Sequence, residues 1–132
     1  QDSTPKLINK DDKKIKFKLK NAYSYSLDEP STYKVLAFSL QNGITCAIQH
    51  FKEIVNFTSS MLGMFNVYNL VASIRAVHIL TKKPLQDICD VVENFAGVSG
   101  RMEIVSQDPL IIVDFAHTSD GMKNVFEALK DN

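Results

Sequence analysis

Hydrophobic positions along the chain change their spacing from segment to segment, and each change predicts an element. Lys6-Leu7-Ile8-Asn9 is a short apolar run closing on polar residues, as a strand end does. Ile15, Phe17 and Leu19 then alternate with Lys14, Lys16, Lys18 and Lys20, which is strand period. The same stretch also fits a helix, because Asp11 and Asp12 precede the lysines and acids favour a helix's first turn. The lysines read as a solvated face. Tyr33 to Gln41 is rich in β-formers, and Ile44 to His50 and Ile54 to Ser59 follow it. Asn42-Gly43 separates the first two runs, and both residues tolerate the positive φ of a two-residue type I′ turn. An antiparallel meander is expected here.

The spacing then becomes helical. Val67, Leu70, Val71, Ile74 and Val77 form one apolar stripe. Pro84 opens a second helix, with Leu85, Ile88, Val92 and Phe95 facing inward. Ala96-Gly97-Val98-Ser99-Gly100 is small and glycine-bearing, as a linker is. Met102 to Ser106 predicts a strand. Leu110-Ile111-Ile112-Val113 is apolar at consecutive positions, as expected of a strand buried on both faces of an α/β sheet. Asp114 ends it, and a last helix carries Met122, Val125, Phe126 and Leu129 on one face. One βα unit cannot bury its own faces, so this piece reads as the opening of a larger α/β domain. The expected fold class is α/β.

Composition narrows the partners. The 132 residues suffice for one domain or for pieces of two, and 45% hydrophobic with 23% charged residues is the balance of a soluble globular protein. Fifteen basic and fifteen acidic side chains cancel, so neither nucleic acid nor an anionic membrane is an expected partner. No apolar run is long enough to span a bilayer, and the start lacks a signal peptide's apolar stretch. The chain begins with Gln1, which points to a cut from something longer or to processing. Cys46 and Cys89 have no Cys-x-x-Cys or Cys-x-x-His spacing, and two inert reduced thiols imply a cytoplasmic location. Asn56-Phe57-Thr58 fits the glycosylation pattern but falls in an expected strand, and without secretion it carries no meaning.

Candidate chemistry gathers in a few short strings. Asp114 follows the apolar strand, where open α/β sheets face their ligands. A carboxylate there can hold ribose hydroxyls or a metal-bound water, and His117 adds a chargeable donor. Thr118, Ser119 or Asp120 can cap the next helix, whose free N–H groups favour an anion. The same residues also fit a plain strand end with a surface histidine. Asn66 and Asn69 share a helix face, and their amides match the adenine edge, although paired asparagines at a helix start are more often caps. Arg101 after the glycines can clamp a phosphate or lie free on the surface. Asn9-Lys10-Asp11-Asp12 is a polar loop. His78 reads as a packed structural histidine, and His50 has no evident partner. No P-loop, metal-ligand cluster or nucleophile-plus-base pair is present in the sequence.

Taken in order, Asn9-Lys10-Asp11-Asp12, Gly63-Met64-Phe65-Asn66-Val67-Tyr68-Asn69, Gly100-Arg101-Met102-Glu103 and Val113-Asp114-Phe115-Ala116-His117-Thr118-Ser119-Asp120 resemble successive motifs of the Mur ligases. In the branch that adds the third peptide residue, those strings look like Asn-x-Asp-Asp, Gly-x-Phe-Asn-x-x-Asn, Gly-Arg-Met-Glu and Val-Asp-Tyr-Ala-His-Thr-Pro-Asp. Two departures stand out: Phe115 replaces Tyr, and Ser119 replaces Pro. The resemblance implies that residues 1–98 are the late part of a central ATPase domain, built as an antiparallel meander with helices. Residues 99–132 would open a Rossmann-like C-terminal domain. It implies ATP and Mg2+ as cofactors of the full-length ligase, and a nucleotide-sugar dipeptide and an amino acid, diaminopimelate or lysine, as its substrates. It casts Asn66 and Asn69 as adenine contacts, with Asn9 as a further neighbour. Asp114 becomes the ribose carboxylate, Arg101 the phosphate clamp and His117 a basic group near the phosphates. The P-loop, the metal ligands and the amino-acid-selecting motif are absent, so the isolated chain is expected to be inactive. A sibling such as folylpolyglutamate synthase is the nearest alternative, although its His is followed by Asn-Pro rather than Thr. An α/β binding module without catalysis is the other.

Overall fold

The computed structural model describes residues 4–15 and 19–130. In chain order these form β1 (Lys6–Asn9), β2 (Ala22–Ser26), β3 (Tyr33–Ser39), β4 (Ile44–His50), β5 (Glu53–Ser59), α1 (Met64–Thr81), α2 (Leu85–Val92), β6 (Glu103–Gln107), β7 (Leu110–Val113) and α3 (Ser119–Lys130). β1 to β5 make one sheet in sequential order, and β6 and β7 make a second. The expected meander is β3 to β5, which pair antiparallel, whereas β1 to β3 run parallel. β2 escapes a pattern reading because Ala-Tyr-Ser-Tyr-Ser alternates without a large aliphatic residue.

Burial follows the pleat. Ile44, Cys46 and Ile48 on β4 and Val55 and Phe57 on β5 face one core, against Val67, Leu70, Val71 and Ile74 of α1 and Leu85, Ile88, Cys89 and Val92 of α2. Burial pushes both thiols up to about 12, so Cys46 and Cys89 are protonated apolar packers. Asn42 and Gly43 have φ of 58° and 106°, as expected, but Ser39 pairs with Thr45. That register centres the connection on Asn42, so it is wider than the two-residue turn read from the sequence. A Cβ on Gly43 would lie 2.4 Å from the Ser59 carbonyl oxygen, so both φ and space demand glycine.

Several expectations need correction. Asp11 to Ile15 form turns, neither strand nor helix. Lys16, Phe17 and Lys18 lie outside the described residues, and Leu19 belongs to no strand. The reason lies in the acids. The Asp11 carboxylate accepts backbone N–H groups of Leu27 (2.6 Å), Asp28 and Glu29 (2.8 Å) and the Tyr68 hydroxyl (3.0 Å). Its charge therefore serves a loop 16 residues on, and not a helix terminus. Val77 and Phe95 are 41% and 42% exposed, off the inward stripes assigned to them. α2 ends before Phe95, and Arg75 and Ile79 are buried on α1 in place of Val77.

β6 and β7 form an antiparallel hairpin with a bulge between Ile104 and Ser106. Leu110, Ile111 and Val113 are exposed, contrary to a strand buried on both faces, because no element among the described residues covers them. α3 likewise leaves Met122, Phe126 and Leu129 partly exposed. It packs instead through Ala128, which joins Leu62 and Met102 in a second cluster flanked by Phe65, Ile112 and Val125. A Cβ on Gly63 would sit 2.7 Å from that of Ala128, so α3 crosses the start of α1 at a glycine with φ of 88°.

Asp11 supplies a pH test. Burial raises its pKa, but the hydrogen bonds from Glu29, Leu27, Tyr68 and Asp28 outweigh burial and hold it below 3.8. A lowered carboxylate stabilises the fold above its unfolded value and loses that contribution as pH falls through the folded one. Asp11→Ala is expected to lower unfolding stability by about 1–3 kcal/mol at neutral pH, and by progressively less in acid. Urea melts across pH check this; a deficit that does not shrink in acid would remove the charge from the explanation.

Candidate functional site

α1 starts at Gly63 with no side-chain cap, so neither asparagine caps it. Asn66 is buried, and its Nδ2 donates to the Leu62 carbonyl one turn back (2.8 Å). Its Oδ1 accepts from Nδ2 of Asn69 (3.1 Å). Asn69 is exposed. Its amide makes no other hydrogen bond among the described residues, so one N–H and the Oδ1 stay available. That donor and acceptor pair is what an adenine edge presents in complement.

The second half of the site is braced by carboxylates. Asp114, at the end of β7, accepts the Met102 N–H on Oδ2 (2.9 Å) and the Ala116 N–H on Oδ1 (2.7 Å). Each oxygen keeps a free lone pair for a ligand hydroxyl. Glu103 accepts the Ser99 hydroxyl (2.9 Å) and the Gly100 N–H (2.7 Å). These bonds hold its carboxyl below the usual range. Arg101 N donates to Val98 O, and Phe115 N donates to Gly100 O, both at 3.0 Å. The Arg101 guanidinium rests 5.5 Å from the centroid of the Phe115 ring. His117 Nδ1 meets the Phe115 carbonyl at 3.0 Å and must donate there, which fixes the tautomer and leaves Nε2 unengaged. Thr118 is the cap of α3: its Oγ1 accepts the Gly121 N–H at 3.1 Å.

These groups converge. Asn66, Asn69, Arg101, Asp114 and His117 all line one cavity of about 650 Å³, with Phe65, Leu70, Phe95 and Val98 supplying apolar wall. The volume is that of a small-molecule or cofactor site. Asn9 lies apart from it, at the end of β1, where its Oδ1 accepts the Asp11 N–H at 3.0 Å. Among the described residues there is no group of three or more side chains able to hold a metal ion. No helix there is long and apolar enough to cross a membrane.

No family model matches the sequence. The chain is 54% identical over 127 residues to the UDP-N-acetylmuramoyl-L-alanyl-D-glutamate–2,6-diaminopimelate ligase of Wolinella succinogenes, a match covering 96% of this chain and 29% of that protein. It is 42% identical to the ligase of the same name from Helicobacter pylori, over 99% of this chain and 31% of that one. The chain belongs to the Mur ligase family. It spans about 30% of the length of those relatives. A solved ligase of that name superposes with a TM-score of 0.69 at 31% identity, covering 84% of this chain and 23% of its own. The UDP-N-acetylmuramate–alanine ligase of Thermotoga maritima (TM-score 0.73, 24% identity, covering 83% and 26%) shares the fold. So does folylpolyglutamate synthetase from Lactobacillus casei (TM-score 0.68, 22% identity, covering 83% and 28%).

Both departures from the Mur ligase motifs find physical accounts. Ser119 is the first residue of α3, where proline fits because that N–H needs no partner, so serine replaces it without disturbing the cap. Phe115 serves as a ring: it lies under Arg101 and 5.4 Å from the His117 ring, and neither contact uses a hydroxyl. Glu103 and Asn124 were not singled out by sequence. Glu103 is the last residue of a motif read mainly for its arginine. Asn124 shares the cavity with Gly121 and Val125, a spacing that places all three on one helix face.

The two asparagines therefore separate by experiment. Asn66→Ala strands the Leu62 carbonyl and is expected to cost about 1–3 kcal/mol in urea unfolding, whereas Asn69→Ala stays within about 0.5 kcal/mol of wild type. Equal destabilisation by both would show that the pair acts only as a structural clasp.

Proposed function

We propose that this segment is the nucleotide-closing part of an ATP-dependent ligase that adds 2,6-diaminopimelate to UDP-N-acetylmuramoyl-L-alanyl-D-glutamate in peptidoglycan precursor synthesis, in the cytoplasm. One observation carries the reading: five side chains drawn from three separate stretches of chain line a single cavity of nucleotide-binding size. The relatives' printed names supply the substrates and favour diaminopimelate over lysine. Residues 1–98 belong in this reading to the central domain and 99–132 to the C-terminal one, whose remaining strands would cover the exposed face of β7.

In such a ligase ATP phosphorylates the substrate carboxylate, and the incoming amine displaces phosphate from the acyl-phosphate to form the amide. The segment's own residues position and neutralise. Asn69 offers adenine its free N–H and Oδ1 while Asn66 fixes its rotamer. Asp114 takes ribose hydroxyls on its spare lone pairs. Arg101 swings from the Phe115 ring to the phosphates, and the unengaged Nε2 of His117 lies on the same wall. Asn9 supports the end of β1 and is not assigned to the nucleotide. Mg2+ would screen the phosphates when bound; the described residues hold no group of three or more side chains able to ligate it. A charge clamp of this kind stabilises the transition state more than the bound substrate.

In the full-length ligase, Asn69→Ala is expected to weaken ATP binding by about 1–3 kcal/mol and to weaken GTP binding less, since guanine presents the opposite pattern at its six-position. Arg101→Ala is expected to lower kcat strongly with an unchanged thermal melt. Wild-type kcat in a normally folded Arg101→Ala variant would remove the clamp. Equal losses for ATP and GTP would remove the adenine contact.

A further inference from the structure

Among the described residues, Arg75 carries the buried side-chain polar atom without a hydrogen-bond partner, its Nε. It lies at the middle of α1, only 3% exposed. No ion pair is made with it among the described residues. Its guanidinium stacks between two rings, 3.6 Å from the Tyr33 centroid and 4.3 Å from that of Tyr23. Stacking satisfies the faces of a guanidinium but not its donors, which all lie in its plane. A buried cation left in that condition is destabilising unless something accepts those N–H groups.

A cavity of about 200 Å³ adjoins it, several times a water's share of liquid volume, about 30 Å³. Its wall shares no residue with the nucleotide cavity. Arg75 and His78 reach it from α1, three residues apart, Lys82 from the position just past the helix end, and Thr32, Tyr33 and His50 from the sheet and its edge. The proton positions follow from the partners. Burial pushes the Tyr33 phenol up to about 12, so its O–H donates to Nδ1 of His78. That leaves the His78 proton on Nε2, as a donor. His50 Nδ1 donates to the Thr32 carbonyl at 3.3 Å, so its Nε2 donates only when the ring is charged.

We propose that this cavity is a binding site for a small oxyanion of the phosphate class, held by the in-plane N–H groups of Arg75, by His78, by Lys82 and by the Thr32 hydroxyl. The site is independent of the nucleotide reading above. Burial, with the charge of Arg75 beside it, holds both His50 and His78 below 6.5. The other charged and titratable groups around them are Tyr23, Glu53 and Lys82; Glu53 opposes the lowering. A bound anion raises both histidines, so by linkage its affinity increases as pH falls through their range.

The test is a titration of inorganic phosphate into the full-length protein, watching the ring resonances of His50 and His78 at constant ionic strength. Assignment comes from His50→Gln and His78→Gln. Saturable shifts of both signals are expected, tighter at about pH 6 than at about pH 8, and weakened about tenfold or more by Arg75→Leu. Lys82→Ala, at an exposed position, weakens them in the same direction and serves if Arg75→Leu does not fold. Asn69→Ala leaves them unchanged. Ring signals unmoved by phosphate would overturn the site, as they would if a carboxylate from elsewhere in the full-length protein already filled it. Shifts undiminished in both cation variants would overturn it as well.

Discussion

The contact between Gly63 and Ala128 is the constraint on which the candidate site depends. The first glycine of a motif is missing a side chain where the last helix crosses it, and Leu62 and Met102 close over the same spot. This small apolar junction sets the start of α1 opposite the end of β7. Without it, the asparagines and the Asp114 loop would belong to separate surfaces. The energy involved is that of a few buried side chains, far less than the main core between the large sheet and α1 and α2. The junction is therefore the natural place for the two parts to separate. The glycine stretch beside it is less free than its composition implies: Glu103 and the Phe115 N–H hold Gly100, which leaves the residues before Val98 to absorb any rotation.

Within each motif the labour is divided. One side chain braces the backbone and a neighbour is left unspent. Asn66 is consumed by Leu62, and Asn69 keeps half its amide. Glu103 ties the turn that carries Arg101. Asp114 does both, holding Met102 and Ala116 with one lone pair on each oxygen. Such bracing fixes a site before a ligand arrives, which lowers the ordering that binding must overcome.

Much of this was legible in the sequence. Periodicity or an apolar run located β3 to β5, α1, α2, β6, β7 and α3, although β6, β7 and α3 leave much of their apolar surface exposed. Three of the four ordered strings supply residues to the cavity lining; the first, at Asn9, does not. What was hidden is instructive. β2 carries no large aliphatic residue, and its place in the sheet comes from pairing with β1 and β3. Asp11 was weighed as a helix signal because its true partners lie 16 to 18 residues away. Asn9 was grouped with the nucleotide contacts because it begins a motif, yet its amide closes a local turn. Arg75 was invisible, since a single arginine in a helix ordinarily faces water.

Cys46 and Cys89 give the fold a built-in clock. One sits on β4 and the other on α2, both 1% exposed, on the two layers that must part for the main core to open. A thiol reacts as its thiolate, and both are pushed up to about 12 by burial. An alkylating reagent therefore labels neither until the layers separate. The labelling rate then reports how often the core opens, on a timescale that equilibrium melts do not resolve. Any ligand that binds only the folded chain should slow that labelling in proportion to its occupancy, even if it never touches sulfur.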